Sequence, residues 1–161
     1  MSIELVCNQA LDVIGHKRHI DSIWDGTPEA RVALNAYADT RDAVLSVQPW
    51  MFARAFYRLE RVSSVQSLLS YRRPASAIVV LDVYSSVFDP YDPEPSRWVE
   101  SYAGGERLIL TSAEVATAAV TDRVLDPADW PPDFTSMVIQ ALAHRLQRLI
   151  AAPAPAKEER Q

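Results

Sequence analysis

The amino-acid sequence predicts an α+β fold. The first 48 residues place apolar side chains at the three-to-four spacing of helices. From about residue 56 to 124 the pattern shifts to short β-branched runs broken by turn residues. Residues 133–152 then return to helical spacing. Helices at either end thus flank a strand-rich middle, and the terminal helices are expected to pack together because neither can bury its apolar stripe alone.

The first helix is expected over residues 2–14, with Ile3, Val6, Cys7, Ala10 and Ile14 on one face, Ser2 as its cap and Gly15 as its stop. "GHKRHIDSIWDG" reads as a connector, with Ile20, Ile23 and Trp24 as anchors back to the core. The longest helix is expected over 28–48. Thr27 caps it, Pro28 sits where a missing N–H costs nothing, and Glu29 suits the positive end of the dipole. Its stripe is Ala30, Leu34, Tyr37, Arg41, Val44, Leu45 and Gln48, and Pro49 ends it. Trp50 and Phe52 are expected to plug the junction with the strands.

"AFYRLERV" reads as a short strand, "SVQSLLSYRRP" is ambiguous, and "SAIVVLDVY" is a strand. "SSVFDPYDPEPS" is a proline-rich loop. "RWVESYAGGERLILTS" reads as a hairpin turning at Gly104–Gly105. "EVATAAVTDRV" alternates as a strand does, although its alanines also permit helix. "LDPADWPPDF" is a turn plugged by Trp130. The last helix has Asp133 as its cap and Val138, Leu142, Leu146, Leu149 and Ile150 as its buried face, and "APAPAKEERQ" is an extended tail.

Composition excludes several function classes. The 161 residues suit one domain, expected over 1–152 with a β-rich insert at 56–124 and a tail at 153–161. A net charge of −5 disfavours loose binding to DNA or to an anionic membrane. One cysteine, Cys7, rules out an intrachain disulfide and a Cys-rich zinc site. The start has no basic region of a signal peptide, and no run approaches the ~20 apolar residues of a membrane span, so an intracellular product is expected. With four glycines, paired only at 104–105, a glycine-rich phosphate loop is nearly excluded.

Constellations that could carry chemistry are weak. His16 and His19 lie near Asp12, Asp21 and Asp25, but the cations of "HKRH" oppose a metal there, and a solvated helix-end connector is preferred. Asp39 and Asp42, interleaved with Arg41, read as an exposed charged face. Cys7 sits on an apolar stripe and reads as a buried structural thiol. His144 has no acidic neighbour in sequence. The basic and aromatic run at 52–61 with "RRP" at 72–74 carries too few cations for nucleic acid and reads as structural. No enzyme, metal or cofactor is expected. Arg41 stands out, because a guanidinium on an apolar stripe needs a partner or an exit to an interface.

Taken in order, "QALDVIG" with "HIDSIWDGTPEA", "NAYADTRDAVLSVQPWMFA", "YRRPASA", the hairpin ending "LILTS", and "DWPPDFTSMVIQALAHRLQRLIA" resemble the head–tail adaptor (connector) proteins of tailed bacteriophages. Those include the tail tubular protein A and packaged-DNA-stabilisation types and the adaptors of gene transfer agents. The pieces span about residues 2–152. The resemblance implies a helical bundle, with long helices near 2–14, 28–48 and 133–152, carrying a β-rich insert. It implies a non-enzymatic virion protein, made in the host cytoplasm, that forms a ring of about twelve copies below the portal. Its partners would be the portal protein, a tail or neck protein, its own copies, and packaged double-stranded DNA passing non-specifically through the lumen, with no membrane and no cofactor. Candidate portal contacts are Leu149, Ile150, Pro153, Pro155, Lys157 and Arg160. Candidate structural or interface residues are Arg41, Trp50, Phe52 and Trp130. Candidate protruding contacts are Tyr91, Trp98, Tyr102, Gly104 and Gly105. A tail-completion or neck protein on the tail side, and a small metal-dependent hydrolase using His16 and His19, are the alternatives.

Overall fold

A computed structural model describes residues 1–65, 68–85 and 94–151. The chain divides into two compact units: Met1–Val44 with Val124–Gln161, and Leu45–Arg123. Tyr91, Pro153, Pro155, Lys157 and Arg160 lie outside the described residues, as does most of the proline-rich loop.

The first unit is helical. α1 (Ile3–Val13) begins at Ser2, whose Oγ accepts from the Leu5 amide at 3.2 Å. It ends where Gly15 enters the left-handed region at φ 72°, so that the Gly15 amide reaches Asp12 O and the His16 amide reaches Leu11 O. α1 buries Val6, Cys7, Ala10 and Leu11 and packs against α3 (Pro132–Ala151). α3 starts one residue earlier than Asp133 suggested, with the Thr135 amide bonded to Pro131 O. Phe134, Val138, Leu142 and Leu146 are fully buried, whereas Leu149 and Ile150, expected on the buried face, are exposed. Between α1 and α3 in sequence, α2 (Pro28–Ser46) is capped by Thr27, whose Oγ1 accepts from the Ala30 amide at 3.1 Å. α2 buries small residues, Ala30, Ala33, Ala36 and Thr40, around Tyr37 and Arg41.

The second unit is built from two antiparallel sheets. β1 (Arg54–Arg58), β7 (Ala116–Asp122) and β4 (Ala77–Ser85) form a three-stranded sheet in the order β1-β7-β4. β2 (Arg61–Val65), β3 (Leu68–Arg72), β6 (Glu106–Thr111) and β5 (Trp98–Ala103) form a four-stranded one in the order β2-β3-β6-β5. Registers such as Tyr57↔Ala118, Val80↔Val120 and Tyr71↔Ile109 set alternate residues facing inward. Val80, Val83, Ala116, Ala118 and Val120 of one sheet share a core with Tyr71 and Ile109 of the other. Tyr71 locks that core, its hydroxyl donating to Ala113 O at 2.6 Å and Glu114 O at 2.8 Å. The β5–β6 hairpin pairs Ala103 with Glu106 across Gly104 and Gly105, at φ 62° and 85°, the two left-handed residues that a tight primed turn requires.

This architecture overturns the expected helical bundle. Among the described residues the fold is α+β, with three α-helices and two antiparallel sheets. The physical reason lies in the period-two runs: their inward side chains close on one another and form a core of their own. Of the ambiguous "SVQSLLSYRRP", the described Ser64–Val65 belong to β2 and Leu68–Arg72 to β3, and the alanine-rich stretch is strand β7.

Candidate functional site

Residues that could do chemistry are held apart or tied up. His19 Nε2 lies 2.6 Å from Asp12 Oδ1, while His16 Nε2 lies 3.4 Å from Glu29 Oε1, an ion-pair distance without hydrogen-bond geometry. The two histidines therefore have separate carboxylates, and among the described residues no group of three His, Cys, Asp or Glu converges as a metal site would need. Cys7 is fully buried, and burial pushes its thiol up to about 12, far from a nucleophilic thiolate. Burial likewise pushes the Tyr37 hydroxyl up.

Basic side chains near "YRRP" are also committed to the fold. Arg73 is nearly buried, and its guanidinium donates to Ala77 O at 2.6 Å, Ile78 O at 2.8 Å and Glu100 Oε1 at 3.3 Å. Arg72 pairs with Glu60 at 2.8 Å and Glu106 at 3.6 Å. Arg72, Arg73 and Glu106, with Pro74, Ala75 and Arg107, line a cavity of about 310 Å³.

Arg41 is buried on α2 with its guanidinium 2.7–2.8 Å from Asp42 Oδ1 and 6.0 Å from the centre of the Tyr37 ring. Trp130 is buried between two rings, stacked on Tyr37 at 6.1 Å and edge-on to Phe134 at 5.0 Å, with Nε1 donating to Val124 O. Trp50 is buried in the second unit and meets half-buried Phe52 edge-on. Trp98 is half-buried against the sheet core. Tyr102, by contrast, stands out at the hairpin end and is 72% exposed.

Trp24 corrects the sequence reading. Of the three expected anchors, Ile20 is buried and Ile23 is half-buried, but Trp24 is 79% exposed. Its loop is nonetheless tightly specified. The Asn8 side chain clamps Ile20 from both sides, accepting from its amide at 2.8 Å and donating to its carbonyl at 2.9 Å. Asp25 Oδ2 accepts from the amides of Ser22 and Asp21, and Ser22 Oγ accepts from the amide of Trp24. Sequence reasoning missed this clamp, although the acidic residues on both sides of the tryptophan were a signal for a wet turn rather than a core.

One open groove lies between α2 and α3. Asn35, Ala36 and Asp39 of α2 face Arg145, Arg148 and Leu149 of α3 around a cavity of about 430 Å³. Neither arginine forms an ion pair with any described residue. The described surface thus offers apolar protrusions on hydrogen-bonded supports, Trp24 and Tyr102, and a groove whose two arginines lack an ion-pair partner among the described residues. No family model matches this chain, and no curated protein matches it either.

Proposed function

We propose that this chain is a structural subunit, a head–tail adaptor of a tailed phage or phage-like particle that assembles as a ring below the portal. The reading starts from the ordered resemblance across residues 2–152. The observation that carries it further is that large apolar side chains protrude from rigid supports. Trp24 stands on a loop fixed by Asn8 and Asp25, and Tyr102 stands at the end of a hairpin closed by two left-handed glycines. Rigid, exposed aromatic residues are what binding surfaces use, because they bury much area at little entropic cost.

In this role the helical unit would supply lateral contacts and the β5–β6 hairpin a contact above or below the ring. The net charge of −5 per copy suits a channel wall that must not hold a phosphate backbone. The test is capture: purified chain is mixed separately with portal rings and with tail tubes and imaged by electron microscopy. A ring of density added to the portal is the expected result. Capture by tail tubes alone would make this a tail-side neck protein, and capture by neither would overturn the structural reading.

A further inference from the structure

The helical unit carries two features that its own fold leaves unused, and they complement one another. The first is a knob. The segment "DSIWDG" places the indole of Trp24 in solvent between two exposed carboxylates, Asp21 and Asp25. The second is the groove between α2 and α3. Ala36 and Leu149 give it apolar surface, and Arg145 and Arg148 stand along its α3 side without an ion-pair partner among the described residues.

We propose that the Trp24 knob of one copy seats in the α2–α3 groove of the next, making this pairing the lateral contact of the ring; the inference rests on the ring reading above. Size fits, since a cavity of about 430 Å³ is in the range that encloses a large aromatic group. Charge is complementary: acids flank the tryptophan in sequence, and two arginines line the groove beside the single carboxylate of Asp39. The stem of either arginine can lie against the indole face, where its guanidinium gains a cation–π contact. Asn35 and Asp39 provide acceptors for the indole N–H, which a buried tryptophan requires. Knob and groove are different surfaces, so the contact is head-to-tail. Each bound pair leaves one knob and one groove free, and such a contact propagates until the rotation closes.

The test uses two full-length variants, each lacking one half of the contact. Trp24→Ala removes the knob and keeps the groove, and its exposed position leaves the fold unburdened. Arg145→Glu with Arg148→Glu reverses the groove and keeps the knob. Native mass measurement and NMR titration at about 1 mM protein follow each alone and then mixed. Each variant alone is expected to stay near 18.0 kDa, while the mixture forms a one-to-one pair. Truncating the knob in both partners should weaken pairing about 30-fold, as loss of a central tryptophan does. A mixture that stays monomeric overturns the contact, as does a single variant that self-associates like the wild type. Portal capture separates the two levels. A wild-type chain that portal rings capture while its variants do not pair sinks only the knob and groove, whereas variants that pair while portal rings capture no wild-type chain sink the adaptor reading.

Discussion

Replacing Trp130 by alanine would remove the centre of the aromatic stack in the helical unit. The ring is 7% exposed, lies 15° from parallel with Tyr37 at 6.1 Å, and meets Phe134 edge-on at 5.0 Å. An aromatic side chain of this kind buries about 150–250 Å², worth about 4–6 kcal/mol at ~25 cal/mol per Å². Because the unfolded chain already hides part of that area, the expected loss is about 3–5 kcal/mol, in line with large-to-small aromatic substitutions in cores. Against a total stability of roughly 5–15 kcal/mol, that is enough to unfold much of the unit at 37 °C.

The companion variant Trp130→Phe separates ring from hydrogen bond. It keeps most of the stacking but deprives Val124 O of the donor it has at 3.1 Å. Its expected cost is about 1–2 kcal/mol. Urea melts followed by far-ultraviolet circular dichroism would measure both. A loss below about 1 kcal/mol for the alanine variant would refute the claim that this stack holds the unit. Equal losses for the two variants would place the energy in the hydrogen bond instead.

Other measurements bear on each unit separately. Tyr71→Phe strips the buried Ala113 O and the part-buried Glu114 O of their shared donor and should cost about 1–3 kcal/mol in urea melts, with the β-rich unit melting first. Burial raises the Cys7 thiol from its ordinary 9.0 to about 12, so the unfolded chain releases that proton first as pH rises. Stability is therefore full below about pH 9 and falls toward pH 12, by at most about 1.4 kcal/mol per pH unit from this group. Cys7→Ala should flatten the slope between about pH 8.5 and 9.5, below the ordinary tyrosine value near 10, and an unchanged slope there would contradict the assignment.

Local signals in the chain were strong where the backbone itself is punctuated. Ser2, Gly15, Thr27–Pro28 and Gly104–Gly105 each fix a helix end or a turn through a hydrogen bond or a left-handed φ, and each acts locally. Patterns that depend on distant partners were illegible or misleading. "SVQSLLSYRRP" has no glycine or proline between its strands to mark a hairpin. The expectation of a bundle came from resemblance rather than from the strands, whose alternation already allowed two sheets to close on each other. Hydrophobicity alone points Trp24 to the core, although Asp21 and Asp25 beside it favour solvent. Leu149 and Ile150 continue the helical stripe in sequence, yet the described residues leave both exposed, Leu149 at the edge of the α2–α3 groove. Portal contact remains a proposal for that exposed end.

Arg41 shows what sequence position can and cannot say about a charge. Its place on an apolar stripe implied a partner, and the structure supplies Asp42, the next residue, which helical geometry alone would place on a different face. The guanidinium folds back because its side chain is only 8% exposed, while Asp42 at 28% still touches water. This asymmetry orders two substitutions. Arg41→Met removes the buried charge, keeps the stem that packs by Tyr37, and should be nearly neutral, since desolvating a guanidinium offsets much of what its ion pair gains. Asp42→Asn leaves that charge buried against a neutral amide. Its cost should approach about 3 kcal/mol, the lower end for a broken buried pair, because water still reaches the partner. Urea melts of the two variants, with the double variant to isolate the coupling, decide the matter. Should Arg41→Met cost as much as Asp42→Asn, the charge itself would be stabilising α2 and the ion pair would be more than a means of neutralising it.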